Sequence, residues 1–525
     1  MIAAISSGVR IAGRTRKPVR SNRKRSSSVI GMLSSPYRCG ILAATPRLRY
    51  HQRGQGQGGA PAESGESVMI YRQLFDKHAA GKTVSVGVIG TGQYATAVVT
   101  QSAYIPELSV SAVCEVDIDA AKRAYERAGM NDHAVCDTRP QALRAIESGR
   151  PVIVQDADLL MELPVDIVVE STGVPEAAAK HGAAAIEAGK HVAMVSKEAD
   201  AAVGPILKRR ADDAELVYSA VDGDQHGLLI SLVQWARDLG LHVYCGGKAV
   251  GWDIVYDEAT GTVSRGSSGP LNLDDPSAFA PGPSERAPAL VGRRREMLGR
   301  TGVEGYDITE MTIVANATGL APDVDTLRGP HARIPEIPEV LCPEDLGGIL
   351  TGREVVECVT VVRGRYEADL GGGVFIVVGC ENDYSRHILT SKGLIPNSGD
   401  TTALIYRPHH LCGVETPITL LTMGLLGVPT GATEYLPRYD TVARAREDLK
   451  AGDTIGTDHD PKLHALMRPA APAMPGNAIP LHMASGCRLL CDLPRGTVLT
   501  TEMVEAPSDS ALWSLRHEQD ARFAV

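Results

Sequence analysis

Residues 84–99 read "VSVGVIGTGQYATAVV": an apolar, β-branched run, two glycines, then a segment of helical composition. The run Val84 to Ile89 predicts a buried strand, and Tyr94 to Ser102 predicts a helix. Between them Gly90, Gly92 and Ala95 form G-x-G-x-x-A. In that pattern the first glycine permits a tight turn, and the second leaves no Cβ between the backbone and a diphosphate. The small third residue lets helix and strand pack closely. The helix N-terminus supplies oriented N–H groups and partial positive charge. The alternative is a glycine-rich turn with a purely structural role. The flanking strand–helix–strand pattern favours a dinucleotide, with Gly90, Thr91, Gly92, Gln93, Tyr94 and Ala95 as candidate cofactor-binding residues.

Working outward, strand and helix signals alternate. Ser109 to Cys114, Asp166 to Glu170, His191 to Val195 and Glu215 to Ser219 predict further strands; Asp119 to Ala128, Pro175 to Ala188, Gly204 to Ala214 and Gly227 to Leu239 predict helices. This rhythm predicts an α/β, Rossmann-type doubly wound parallel sheet over residues 69–245. His242 to Cys245 predicts one more strand. Residues 254–290, rich in Gly, Ser, Pro and Asp, predict a long excursion or lid. Asp307 to Gly319 predicts a helix, and "VECVTVVRG" and "GGGVFIVVG" predict two antiparallel strands flanking Gly364 to Gly373. A mixed α+β catalytic and dimerisation domain is therefore expected over 246–435. In the tail "DLKAGDTI" (448–455) and "DLPRGTVL" (492–499) share D-L-x-x-G-x-x-aliphatic, which predicts a small β domain with two similar turns over 436–525.

Charge narrows the function. Residues 1–62 hold 12 of the 53 Lys and Arg and none of the 63 Asp and Glu, so the remainder carries a net −22. An acidic body is a poor match for nucleic acid, whose affinity rests on phosphate contacts. The basic leader, residues 1–68, reads as a transit peptide, a disordered arm, or untranslated sequence ahead of Met69, the last being favoured. No apolar run reaches membrane-spanning length; the longest, Thr416 to Val428, is broken by glycine and ended by Pro429. The ten cysteines lack zinc-site or disulfide-framework spacing. The expectation is a soluble, cytoplasmic protein acting on a small molecule, with no nucleic-acid or membrane partner.

Chemistry-bearing residues follow at strand ends. Glu115, 23 residues after Gly92, is the expected ribose-binding acid, with Asp117 as rival and Lys122 and Arg123 close enough to offset its charge. NAD and NADP therefore both stay open. Ser171, Thr172 and Gly173 lie at the mouth beside the expected nicotinamide, and Lys197 follows the next strand. Either these are ordinary surface residues or they line a site. Asp222, Asp224 and Lys248 fall at the domain edge, where a protonated lysine beside a carboxylate can stabilise an alkoxide and deliver a proton. Asp224 and Lys248 are the expected catalytic partners, the alternative being a salt-bridged rim; His226 reads as structural.

"GVIGTGQYA", "DIVVESTG" with its Ala-rich helix, and "GKHVAMVSKEAD" resemble the homoserine dehydrogenase superfamily over residues 84–250. "DITEMTIVANATGL", "LGGGVFIVV" and "YRPHHLCGVETP", with a C-terminal SAF-type β-clip domain, are similar to its deoxyxylulose-5-phosphate reductoisomerase-like group. The resemblance implies NADPH-linked conversion of 1-deoxyxylulose 5-phosphate to 2-C-methylerythritol 4-phosphate for isoprenoid synthesis. It also implies Gly90, Gly92 and Thr172 at the nucleotide and Lys197 with Lys248 at the reacting centre, and by analogy a homodimer or higher homo-oligomer. Arg407 and His409, with His410, Lys392 and Arg328, are the available anchors for a substrate phosphate. A divalent metal, with Asp307, Glu310 and Asp224 as ligands, is allowed but not singled out by any spacing. The alternatives are a dehydrogenase of sugar-acid or homoserine-like metabolism, or a non-catalytic nucleotide sensor with a carbohydrate-binding tail.

Overall fold

The computed structural model describes residues 70–79, 81–265, 269–273, 275–280, 286–299, 302–471 and 475–524. The basic leader lies outside them. Seven parallel strands form the first sheet: β1 (Val84–Ile89), β2 (Leu108–Cys114), β3 (Ala134–Val135), β4 (Val152–Val154), β5 (Ile167–Glu170), β6 (His191–Met194) and β7 (Tyr218–Ala220), in the order β3-β4-β2-β1-β5-β6-β7. The order reverses beside β1, so the strand ends around the glycine turn open into a crevice where ligands of such sheets gather. Val84, Val86, Val88, Val168 and Val169 are fully buried. Each such side chain contributes on the order of 2 kcal/mol by leaving water. This two-sided burial is why the strands read as continuous apolar runs. β3 and β4 escaped the sequence reading because they are two and three residues long.

Eight helices complete this half: α1 (Ile70–Ala79), α2 (Gln93–Ser102), α3 (Ile118–Arg127), α4 (Arg139–Glu147), α5 (Ala157–Met161), α6 (Pro175–Glu187), α7 (Lys197–Asp213) and α8 (Gln225–Asp238). Helix α7 begins seven residues before the expected start at Gly204, running through Pro205. Proline breaks the hydrogen-bond ladder of a helix interior. Here the break is patched from the C-terminus. The Gln519 carboxamide enters the ladder, its Oε1 accepting from the Ile206 amide at 3.1 Å and its Nε2 donating to the Ala202 carbonyl at 3.2 Å.

The second sheet has ten strands. Eight form the path β11-β10-β9-β14-β8-β15-β17-β16, and two short ones pair with β14. They are β8 (His242–Ala249), β9 (Ile254–Asp257), β10 (Thr262–Arg265), β11 (Leu271–Asn272), β12 (Ala321–Pro322), β13 (His331–Ala332), β14 (Val355–Gly364), β15 (Val374–Gly379), β16 (Ile395–Pro396) and β17 (Ala403–Arg407). Two expectations change here. The strands on either side of 364–373 do not pair with each other: β8 lies between them, parallel to β14 and antiparallel to β15. The described part of 254–290 adds three edge strands, β9 to β11, to the sheet and leads into helix α9 (Ala287–Leu298), and is not a free lid. Its alternating burial, as in Ile254 and Tyr256 buried with Val255 and Asp257 half-buried, is the signature of a half-covered strand hidden under turn-rich composition.

Helix α10 (Gly305–Thr318) packs against α7, α8 and both strands of the tail, β18 (Tyr439–Ala445) and β19 (Leu463–Pro469). The tail forms a small β unit in which the two similar segments clasp each other. Leu449 and Leu493 exchange backbone hydrogen bonds at 2.9 Å each way. The Asp448 carboxylate accepts from the Arg495 amide at 2.7 Å, and Asp492 accepts from the Ala451 amide at 3.0 Å. The shared aspartate and leucine thus close a local pseudo-twofold clasp. Among the described residues no helix is long and apolar enough to cross a membrane.

Candidate active site

The glycine turn is shaped to receive a nucleotide. Gly90 has φ +88°, and a Cβ on it would lie 2.9 Å from the Ser171 carbonyl oxygen, so only glycine fits without strain. A Cβ on Gly92 would meet nothing within 4 Å. No side chain caps helix α2 at Gly92, and first-turn N–H groups of a helix have no intrahelical acceptor. The turn therefore presents free donors to open space, which fits a diphosphate. Ala95 is fully buried where α2 meets the sheet. Glu115, at the end of β2, accepts from the Thr91 amide and hydroxyl, both at 2.8 Å, placing its carboxylate against the turn. Lys122 and Arg123 are engaged with Asp119 (3.1 Å) and Asp117 (3.4 Å).

Across the crevice, the Ser171 hydroxyl donates to the Ile89 carbonyl (2.8 Å), Thr172 donates to buried Glu170 (2.7 Å), and the Gly173 amide donates to Ser196 Oγ (2.8 Å). Ser196 is the N-cap position of α7, so this last bond ties the mouth of β5 to the residue before Lys197. Tyr94 departs from its expected use. Its hydroxyl is spent on the Asp222 carbonyl (3.1 Å) and Thr416 Oγ1 (2.8 Å) and not held out to a nucleotide.

The structure brings Lys197 and Lys248 together through a residue the sequence reading weighed only as a metal ligand. Glu310, on α10, receives Lys197 Nζ at 2.5 Å on one carboxylate oxygen and Lys248 Nζ on the other. Lys248 Nζ also lies 2.8 Å from Asp307 Oδ1. The two acids sit three positions apart, on one face of α10. Burial alone would strip charge from these groups, and mutual attraction overrides it. Lys197 and Lys248 are held above the ordinary lysine range by Glu310, with Asp307 adding to Lys248, and Glu310 is held well below the ordinary carboxylate range by the two ammoniums. The Tyr306 ring covers both, 5.5 Å from Lys197 Nζ and 5.6 Å from Lys248 Nζ. Of the pair, Lys248 is 1% exposed and Lys197 21%, so Lys197 is the ammonium a substrate can reach.

Other groups take different places. Asp224 acts on Lys197 through space; its carboxylate caps α8, accepting from the Gln225 amide at 2.7 Å, and makes no hydrogen bond to Lys248. The direct partners of Lys248 are Glu310 and Asp307. Neighbouring Glu198 is raised to about 7 by burial, and Cys412 lies within electrostatic reach of Asp224, Glu310 and Lys197. Arg407 is paired with Glu415, His410 Nδ1 lies 2.5 Å from the Gly372 carbonyl, Arg328 pairs with Asp323, and exposed His409 joins none of these groups. Asp307 and Glu310 are committed to Lys248, and among the described residues no group of three or more His, Cys, Asp or Glu gathers around a metal position. Cavities of about 730 and 830 Å³ open beside helix α9 and touch none of the lysine cluster.

Comparison with known families places both halves. Residues 86–214 match the family model of the homoserine dehydrogenase NAD-binding domain, so the first sheet is a binding domain for NAD or NADP. Residues 304–416, which carry Tyr306, Asp307 and Glu310, match that of the catalytic domain of oxidoreductase DRL. The nucleotide-binding and catalytic parts of an NAD(P)-dependent oxidoreductase are thus each matched. Among solved structures, myo-inositol dehydrogenase from Lactobacillus casei in complex with NAD(H) and myo-inositol is 18% identical, over 33% of this chain and 47% of that one, with a TM-score of 0.24. 1-Deoxy-D-xylulose 5-phosphate reductoisomerase from Zymomonas mobilis in complex with NADPH is 20% identical, over 32% of this chain and 46% of that one, with a TM-score of 0.24. The chain spans less than half the length of these structures. No curated protein matches it.

Proposed function

We propose that the chain is an NAD(P)H-dependent oxidoreductase that reduces the carbonyl of a small polar substrate. The observation that carries this reading is Lys197, part-exposed and held charged by a carboxylate it shares with buried Lys248, beside the mouth of a dinucleotide crevice. A bound dihydronicotinamide supplies the hydride. As the carbonyl carbon is reduced, negative charge develops on its oxygen, and Lys197 Nζ donates a hydrogen bond and then a proton to it. Preorganised donors of this kind contribute about 10²–10³ in rate. Lys248 keeps Glu310 ionised, Glu310 keeps Lys197 protonated between turnovers, and Asp307 fixes Lys248. Purified enzyme is expected to consume NADH or NADPH with small carbonyl compounds, and Lys197→Ala to bind coenzyme normally while losing turnover. Full activity in Lys197→Ala would remove this lysine from the chemistry.

The finer reading is reductoisomerase-like conversion of 1-deoxyxylulose 5-phosphate, which rests on the sequence resemblance; the match of residues 304–416 to the oxidoreductase DRL catalytic domain supports an oxidoreductase and names no substrate. One observation favours the alternative, an NAD-linked dehydrogenase of a sugar acid or homoserine-like substrate. Glu115, at the expected ribose end of β2, puts its carboxylate against the glycine turn, and the cationic side chains of Lys122 and Arg123 that would welcome a 2′-phosphate are already paired. Reduction of 1-deoxyxylulose 5-phosphate with NADPH, tested against sugar acids and homoserine with NAD, separates the two. In the same reading residues 69–245 bind nucleotide, 246–435 carry catalysis and dimerisation, and 436–525 form a SAF-type β-clip unit.

A further inference from the structure

The loop 455–460 of the C-terminal β unit lies against the N-terminus of α10, the turn that carries Tyr306. The fit is close. A Cβ on Gly305 would lie 2.1 Å from the Asp458 carbonyl oxygen, so glycine is required for the approach. Thr309 Oγ1 lies 3.1 Å from Asp458 Oδ2 and 3.1 Å from His482 Nε2, and all three side chains are buried. This anchored loop projects His459, whose imidazole stacks on Tyr306 with centroids 5.1 Å apart and planes at 28°. The other consequence of that position is its distance from the chemistry: the same Tyr306 ring lies 5.5 Å from Lys197 Nζ.

We propose that His459 is a substrate-contacting residue, so that the C-terminal unit supplies the outer wall of the active site. The ring is 65% exposed and makes no hydrogen bond within the protein among the described residues; Asp458 Oδ1 lies 3.8 Å from Nε2, beyond hydrogen-bond reach. Stacking fixes its plane at little entropic cost, while its nitrogens remain available to a substrate oxygen. A carbonyl held at Lys197 would direct its far end, a hydroxyl or an acidic group, past the Tyr306 ring toward His459. Asp458, Thr309 and His482 act as positioning residues for this wall and do not touch substrate. This inference rests on the carbonyl-reduction reading above.

The test uses the full chain in three forms: wild type, His459→Ala and His459→Phe. Lysine acetylation by sulfosuccinimidyl acetate, read by mass spectrometry at Lys197, needs no substrate. His459→Ala is expected to raise Lys197 labelling severalfold by opening the wall, and His459→Phe, which keeps the stack, to leave it as in wild type. With 1-deoxyxylulose 5-phosphate, sugar-acid and homoserine-type substrates, both variants are expected to raise KM about tenfold through loss of one hydrogen bond. Turnover at saturation and coenzyme affinity are expected to hold. Unchanged Lys197 labelling in His459→Ala, or an unchanged KM, overturns the proposal. Absence of turnover in wild type with every substrate would instead defeat the carbonyl-reduction reading, and the labelling result would still decide the place of His459.

Discussion

Replacing Glu310 by Gln removes the charge that binds the two lysines together and leaves the shape of the side chain. Lys248 keeps Asp307 at 2.8 Å; Lys197 loses its hydrogen-bonded carboxylate and keeps the through-space attraction of Asp224 and the Tyr306 ring. Burial and the neighbouring Lys248 both push Lys197 toward the neutral amine. With Glu310 gone, burial and the Lys248 charge prevail, and the Lys197 pKa is expected to fall by about 2 units or more. In the proposed reaction Lys197 acts as a proton donor. The alkaline limb of the turnover–pH profile should therefore move to lower pH by a similar amount, with coenzyme affinity unchanged. Stability should fall by about 3 kcal/mol, toward the lower end for breaking a buried pair because Asp307 still serves Lys248. The assay is steady-state turnover against pH for wild type and Glu310→Gln, with chemical denaturation of each. A profile whose alkaline limb does not move would refute the argument that Glu310 sets the charge on Lys197.

Three further outcomes follow from particular contacts. Glu198, raised from 4.5 to about 7 by burial, favours the folded state in its protonated form. That contribution is complete below pH 4.5 and is lost as pH rises through 7. Glu198→Gln should therefore lessen the fall in stability between those limits by about 2 kcal/mol, after discounting residual solvent contact; parallel stability–pH curves would count against it. Glu115 should make NADH bind at least about tenfold more tightly than NADPH, the repulsion of a half-exposed carboxylate, and Glu115→Gln should narrow the ratio; tighter NADPH binding by wild type would reverse the assignment. Gln519→Ala leaves the Ile206 amide without its buried acceptor, while the Ala202 carbonyl keeps Arg516 Nη1 at 3.4 Å, at a cost of about 1–3 kcal/mol, which denaturant unfolding would register; unaltered stability would show that the break at Pro205 needs no patch.

The glycine turn, the alternation of strand and helix and the end-of-strand position of Lys197 are local in sequence, and they were legible for that reason. Periodicity and turn chemistry report on neighbours along the chain. Glu310 was not legible as the partner of both lysines, because α10 is 62 positions beyond Lys248 and 113 beyond Lys197. An acid on an otherwise apolar helix was the available signal. Asp307 and Glu310 are spaced to share one face, and "DITEMTIVANATG" has little else to bury a charge against. The start of α7 was misplaced because Pro205 argues against a helix interior unless a distant side chain repairs it, and Gln519 does so from over 300 positions away. The insertion of β8 between β14 and β15 was hidden likewise. A ten-residue connection rich in glycine reads as a hairpin when the strand that separates its arms lies a hundred positions earlier.

The central claim is that a nicotinamide dinucleotide occupies the turn at Gly90 to Ala95. Calorimetric titration of NADH and NADPH into wild type and Gly92→Val tests it most directly, since a side chain at 92 meets no protein atom within 4 Å of its Cβ and should affect only what enters that space. Binding by wild type, lost in a variant that unfolds at the same denaturant concentration, is the expected result. Heat of binding for neither coenzyme, or equal binding by both proteins, would contradict it.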